Sequence, residues 1–339
     1  DDFYFDDPEI RANYVTFINA QAARILPGTD FVAAAYKTEA VYRDEHRVTS
    51  RINRYLDDEA FRYIALGQSY FDFTGLPYTA PRVCAAPAEL ADVVAQAHQR
   101  HVGDQRGEAS GAEDRPAPAD APPGSLGIAV MNVDGQLFTP GDVAHVFSIQ
   151  SLAKPFVAGL LMQQQGVSAL REKIGVEATG FASNSPEALV LQASRPGNPM
   201  VDAGAIAAVS LLQPSPEQTR AQTLQLGISA FAGQRLPVLG EAYQSAIAHA
   251  QDKRALTALL AKYGRLYSDG DEAVDAYTQQ GALGVNLKQL AAMGATLANR
   301  GLQPVTGARV LDADLVPHVL ALMRTAGLYD ASGDWAFRV

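Results

Sequence analysis

Cysteine is almost absent from this chain of 339 residues, because Cys84 is the only one. A single thiol excludes a disulfide within the chain and any metal cluster held by several thiolates. The sequence also shows no signal peptide and no apolar run of membrane-spanning length. We therefore expect a cytoplasmic protein with no membrane partner.

Basic residues are also fewer than acidic residues. The chain has 27 Lys and Arg residues against 37 Asp and Glu residues, a formal net charge of −10. Surfaces that bind nucleic acids or anionic membranes need clustered basic residues, so this balance argues against both. His98 and His101 lack nearby carboxylate or cysteine partners, so we expect no metal site, and nothing in the sequence indicates a cofactor. The expected partner is a small molecule, and hydrophobic residues, 47% of the chain, suffice for a large core.

Composition divides the chain into three regions. Residues 1–102 show mainly helical patterns, among them 10–25, 58–68 and 87–101, but no chemistry that would assign them a role. Residues 103–125 are nearly all Gly, Ala, Pro, Ser or charged, which predicts a linker or a flexible surface loop. Residues 126–339 contain the candidate catalytic domain.

The third region begins with a predicted β-hairpin. Residues 126–132 and 136–139 are the candidate strands, and Asp134-Gly135 between them predicts a type I′ turn. Helical patterns follow over 152–165, 254–262, 287–299 and 315–325, each with a glycine soon after its end. An antiparallel sheet covered by helices predicts the α+β class.

Ser151 and Lys154 are the candidate catalytic pair. Their spacing of three residues at the start of a predicted helix places them on one face. A serine hydroxyl can pass its proton to a buried neutral lysine amine, which is the logic of the Ser-x-x-Lys motif. The same residues could instead be a helix N-cap and a solvated lysine, because this spacing often occurs by chance.

Further motifs accompany this pair. From about residue 126 to 339 the chain resembles the serine-dependent glutaminases, which share the fold of β-lactamases and penicillin-binding proteins. The resemblance implies an α+β fold of the β-lactamase type, with an antiparallel sheet packed against a helical domain. It rests on ordered matches at Gly141-Asp142, Phe147-Ser-Ile-Gln-Ser-Leu-Ala-Lys154, Gly175-Val-Glu-Ala-Thr-Gly180, Asn184-Ser185, Asn198-Pro-Met-Val-Asp-Ala-Gly-Ala-Ile206, Asp275-Ala-Tyr277, Leu297-Ala-Asn-Arg-Gly301, Pro304-Val-Thr-Gly307 and Gly327-Leu-Tyr-Asp-Ala-Ser-Gly333.

The resemblance implies roles for particular residues. Ser151 would attack the side-chain amide of the substrate, and Lys154 would activate it. Tyr277 and Tyr329 would assist proton transfer, while the backbone N–H of Ser151 would form half of an oxyanion hole. A homo-oligomer is compatible with the resemblance. Candidate substrate-binding residues are Gln150, Asn184, Asp202 and Lys253.

The substrate-holding part of the family pattern is altered. Asp202 stands where the family has an asparagine, and Lys253 and Ala246 align with a second asparagine and a glutamate. The family's upstream tyrosine has no counterpart near residues 114–116, and its last strands are not reached before Val339. Three functions therefore stay open: a glutaminase acting through an acyl-serine, a serine amidase, esterase or acyltransferase with another substrate, and a catalytically inactive binding protein.

Some motif residues also have a purely structural interpretation. Tyr277 and Tyr329 could be core tyrosines with satisfied hydroxyl groups. Asn198 and Gly204 could serve only to shape a turn or a close backbone approach. Trp335, the single tryptophan, is expected in the core.

Overall fold

The structure is a computed structural model that describes residues 87–104, 124–191 and 195–338. The helical expectations for 10–25 and 58–68, and most of the expected linker, lie outside the described residues. The helices are α1 (Pro87–His101), α2 (Lys154–Gln165), α3 (Val167–Lys173), α4 (Pro186–Leu191), α5 (Asp202–Leu211), α6 (Arg220–Ala232), α7 (Gly240–Ala248), α8 (Gln251–Lys262), α9 (Gly270–Gly281), α10 (Leu287–Ala298), α11 (Val316–Ala326) and α12 (Ser332–Arg338). Among these described helices, none is both long and apolar enough to span a membrane.

Within the described residues, the strands form two small antiparallel sheets. β1 (Val130–Met131) pairs with β2 (Leu137–Phe138), and β3 (Phe147–Ser148) pairs with the distant β4 (Gly284–Val285). Helix α1 packs against β2, and α10 packs against β1. Small antiparallel sheets among many helices confirm the predicted α+β class.

The hairpin forms with a different turn from the predicted type I′. Gly135 has a φ of 81°, but Asp134 does not share the positive φ that type I′ requires. Instead the Asn132 side-chain oxygen accepts hydrogen bonds from the N–H groups of Asp134 and Gln136. The Gly135 N–H bonds back to the Asn132 carbonyl at 3.1 Å. The type I′ prediction was wrong because the asparagine side chain stabilises a three-residue loop that ends on the left-handed glycine.

The predicted helices that fall within the described residues are present, with shifts of a few residues at their ends. α1 covers the predicted range, and α2 ends before Gly166, whose φ of 85° stops the helix. α10 begins at a capping box, in which the Asn286 side chain and the Gln289 side chain each bond the other's backbone N–H. Gly327, at the end of α11, does not have a positive φ, because its φ is −66°. Glycine is required there for space instead, since a Cβ would collide with the Met323 carbonyl.

Helix α5 lies at the centre of the helical layer. It packs against α2, α8 and α9, and every residue after Asp202 is buried. Its sequence, Asp-Ala-Gly-Ala-Ile-Ala-Ala-Val-Ser-Leu, is apolar on all sides, as a helix surrounded by others requires. Asp202, the first residue of this buried helix, therefore lies at the edge of the protein interior.

Candidate active site

Ser151 lies in a short 3-10 helix, Gln150–Ala153, directly after strand β3. The pairing of β3 with β4 and a 2.8 Å hydrogen bond from the Ile149 N–H to the Leu283 carbonyl hold this segment. Gln150 has a φ of 50°, and its side-chain amide donates to the Ser148 hydroxyl at 2.7 Å. The Ser151 side chain remains exposed, as attack on a substrate would require.

Lys154 begins helix α2 and is only 2% exposed, so it is not the solvated lysine of the alternative interpretation. Its Nζ donates a hydrogen bond to Asp202 Oδ1 at 2.6 Å. The same Nζ lies 5.3 Å from the centre of the Tyr329 ring, within the range of a cation–π contact. Nor is Ser151 an N-cap, because Ile149 and Ala153 occupy the N-cap positions of the two helices.

Asp202 is the first residue of α5, where the helix dipole favours a negative charge. Its Oδ1 accepts a second hydrogen bond, from the Tyr277 hydroxyl at 2.9 Å. Its backbone N–H donates to the Ser183 carbonyl at 2.7 Å, which places the loop containing Asn184 beside the helix start.

Asn198 shapes the turn that leads into α5. It is fully buried, its side-chain amide donates to the Glu177 carbonyl, and its side-chain oxygen accepts from Met200 N–H and Val201 N–H. A Cβ at Gly204 would collide with the Asn198 carbonyl. These contacts favour the structural interpretation of both Asn198 and Gly204.

Two tyrosines border the ion pair. Burial, and after it the charge of Asp202, raise the pKa of Tyr277 well above that of a free phenol, so its hydroxyl stays a donor. Tyr329 is close enough to Tyr277 to contribute to the same shift. Tyr329 is the second site residue with a positive φ, 54°.

Lys253, on helix α8, completes the cluster. Burial lowers the pKa of this half-buried amine, while the nearby carboxylates of Asp202 and Asp252 oppose the shift. Lys154 is also near enough to act on it. The site therefore contains two lysines around one carboxylate.

The structure thus brings together most of the residues that the sequence proposed. Asp202 contacts Lys154 and Tyr277, while Tyr329 and Lys253 lie nearby. Gln150 adjoins Ser151 but turns its amide toward Ser148. The Asn184 side chain is exposed and makes no hydrogen bond within the described part of the chain.

Two features were missed by sequence reasoning. Ser148 was given no role, although it receives the Gln150 amide, and its only signal was its place in the same motif. The Lys154–Asp202 contact joins residues 48 positions apart. The one sequence signal for this contact was Asp202 itself, which stands where the family has an asparagine.

Chemically, the cluster supplies an exposed hydroxyl, a buried amine and phenols that can relay protons. That set supports nucleophilic attack by a serine with proton transfer through a lysine. In the described ranges, no three His, Cys, Asp or Glu side chains are grouped as metal ligands would be.

Comparisons with known proteins agree with this site. The family model described as "Glutaminase" matches residues 110–339. The chain is 42% identical over 224 residues to a glutaminase of Colwellia psychrerythraea, covering 66% of this chain and 72% of that protein. It is 39% identical over 253 residues to glutaminase 2 of Yersinia pestis, covering 75% and 74%. Among solved structures, the probable glutaminase ybaS superposes with a TM-score of 0.72 at 36% identity, covering 75% of this chain and 82% of that one. The chain belongs to the glutaminase family.

Proposed function

We propose that the protein hydrolyses the side-chain amide of L-glutamine to L-glutamate and ammonia through an acyl-serine intermediate. Family membership supports the substrate and the overall reaction. The observation that carries the mechanism is the buried Lys154 amine, three residues after the exposed Ser151 at the start of α2.

The reaction takes two steps. Neutral Lys154 accepts the Ser151 proton while Oγ attacks the amide carbon, and the proton then passes to the amide nitrogen so that ammonia leaves. Water next attacks the acyl-serine ester, giving up a proton to the same amine, and glutamate is released with Ser151 restored. Tyr277 and Tyr329 border the amine and relay these protons.

Negative charge that develops on the substrate oxygen needs a donor. The first amides of a helix have no acceptor within it, and Ser151 lies in the first turn of its 3-10 helix. Its N–H is therefore the proposed half of the oxyanion hole. Gln150, Asn184, Asp202 and Lys253 are the proposed contacts to the rest of the substrate.

The Lys253 amine favours a second candidate function. It brings a second lysine amine to the site, while Ala246 offers no carboxylate to an α-ammonium group. Such a pocket suits an amide or ester that carries an anionic group but lacks a free amino group. Acyl transfer or hydrolysis on such a donor would use the same Ser151 chemistry.

Ser151→Ala tests the nucleophile. We expect wild-type protein to release ammonia from glutamine and the variant to lose this activity by at least about 10³-fold, because no other group can carry the acyl chain. Intact mass after incubation with glutamine and with aryl esters should show an adduct in wild type alone. Ser168→Ala, on the exposed surface of α3, is the matched control.

The possible outcomes separate the candidates. An adduct with esters but no ammonia from glutamine would favour the second function. No adduct with either donor would favour an inactive binding protein. Cytoplasmic location and a homo-oligomer are further proposals, supported by the single cysteine and by the family resemblance.

A further inference from the structure

Asp202 occupies an unusual place for a residue expected to hold substrate. One of its oxygens, Oδ1, already accepts from Lys154 Nζ at 2.6 Å and from the Tyr277 hydroxyl at 2.9 Å. Its side chain is 17% exposed, and that of Lys154 only 2%. Oδ1 is therefore directed into the catalytic cluster, whatever contact the rest of the side chain makes with substrate.

The contact has a consequence for the protonation of Lys154. A buried amine alone favours its neutral form, because burial penalises charge. A carboxylate at ion-pair distance acts in the opposite direction and stabilises the ammonium. Only the neutral amine can accept the Ser151 proton, so the ion pair opposes the step that starts the proposed reaction.

The other groups near Asp202 and Lys154 come from α8, α9 and a second 3-10 helix. Helix α8 contributes Lys253, with Asp252 beside it, and α9 contributes the Tyr277 phenol. Tyr329 faces Lys154 from the second 3-10 helix, Tyr329–Ala331. Lys253 and the positive end of the α5 dipole both lie beside the Asp202 carboxylate.

We propose that Asp202 is the counter-ion of Lys154 and sets the pH above which the Ser151–Lys154 pair becomes reactive. This inference rests on the proposed function of that pair. It makes Asp202 a positioning residue that acts through Lys154.

Asp202→Asn tests the proposal while keeping the shape of the side chain and an acceptor for Tyr277. We expect the acidic limb of kcat/KM for ammonia release from glutamine to move down by about 1–3 pH units. At a pH below the wild-type limb, activity should rise about 10-fold or more, with the plateau kcat largely kept. Asp252→Asn is the matched control, because it removes a neighbouring carboxylate that does not contact Lys154, and its limb should stay in place.

Two kinetic results would overturn the proposal. A raised KM with an unmoved limb would make Asp202 a substrate contact. Loss of activity across the whole pH range would make its carboxylate necessary for turnover.

A second measurement separates this inference from the proposed function. NMR of lysine side chains labelled with ¹⁵N gives the titration midpoint of Lys154, assigned by the signal lost in Lys154→Met. The midpoint should be lower in Asp202→Asn than in wild type, whether or not either protein turns over glutamine. Equal midpoints would refute the counter-ion role. Absence of ammonia release at any pH, with a lowered midpoint, would refute the glutaminase function alone.

Discussion

At the scale of single residues, two side-chain-bearing positions at the site have left-handed backbone. Gln150 and Tyr329 have φ angles of 50° and 54°. Such a conformation costs about 1–3 kcal/mol at a residue with a Cβ, and it persists where the surroundings enforce it. Gln150 directly precedes Ser151, and the Lys154 amine lies over the Tyr329 ring. The strain therefore falls on residues beside the proposed nucleophile, Ser151, and its proposed base, Lys154.

The Tyr277 phenol should leave a signature in stability at alkaline pH. Its pKa is raised in the fold, so above about pH 10 the unfolded chain loses a proton that the folded protein keeps. The unfolded state then binds fewer protons, and the free energy of unfolding falls by about 1.4 kcal/mol per pH unit from this group. Tyr277→Phe should lack this component. Urea unfolding between pH 8 and 11 measures the slope.

Tyr263→Phe is the comparison, because it removes a phenol that lies outside the site. Loss of the hydrogen bond to Asp202 will shift the Tyr277→Phe curve at every pH, so the slope and not the offset is decisive. If Tyr277→Phe showed the same dependence of unfolding free energy on pH as wild type, the raised pKa of Tyr277 would be contradicted.

At this scale, the sequence could predict contacts between residues close together in the chain but not contacts between distant ones. Ser151 and Lys154 are three residues apart in one helical stretch, so spacing alone predicts that they share a face, and their joint role stays a prediction. The Lys154–Asp202 pair was not, because side chains 48 residues apart meet only through the packing of α2 on α5. Asp202 was expected to bind substrate, and that role stays a prediction beside its observed contacts.

At the scale of elements, the start of α5 depends on a close backbone approach. Gly204 lies against the Asn198 carbonyl, which leaves no space for a methyl group. Gly204→Ala should therefore lower the free energy of unfolding by about 1–3 kcal/mol, as overpacking does. Because the same turn positions Asp202, activity should fall more than stability alone explains.

Gly294→Ala is the control for helix propensity. Gly294 lies in helix α10, and a Cβ there would meet open space. Alanine should therefore stabilise the protein by about 0.5–1 kcal/mol. Thermal unfolding followed by circular dichroism compares Gly204→Ala with Gly294→Ala. If the unfolding temperature changed in the same direction in both variants, the steric explanation for Gly204 would be contradicted.

Helix ends were largely predictable and strand details were not. A glycine with a positive φ, such as Gly166, stops a helix by its own conformation, so it can be identified without tertiary information. The hairpin turn depended on the Asn132 side chain, and the β3–β4 pairing joins segments more than 130 residues apart. Trp335 was wrongly expected in the core: it is 56% exposed on α12.

At the scale of the whole molecule, a hydrophobic core formed by described residues supports the site. It includes residues of α2, α5, α6 and α9, so the helices that bear Lys154, Asp202 and Tyr277 share their packing. The resemblance could predict this region because its motifs follow one another in order. It could not supply the core contacts, since these join motif residues such as Ile149 and Ile206 to residues between the motifs, such as Leu224 and Phe231.

Helix α6 offers a matched test of this core. Leu224 is fully buried, whereas Leu226, on the opposite face two residues later, is 43% exposed. Leu224→Ala should lower the free energy of unfolding by about 2–5 kcal/mol, since it removes buried methyl groups and leaves a cavity. Leu226→Ala makes the same chemical change and should cost about 0.5 kcal/mol.

Urea unfolding followed by circular dichroism at 222 nm gives both values. Neither leucine belongs to the site, so both variants should keep the wild-type pH profile of ammonia release at temperatures where they stay folded. A pH profile shifted by Leu224→Ala would mean that the core tunes the Lys154–Asp202 pair directly. Similar losses of stability in the two variants would contradict the burial of this face of α6.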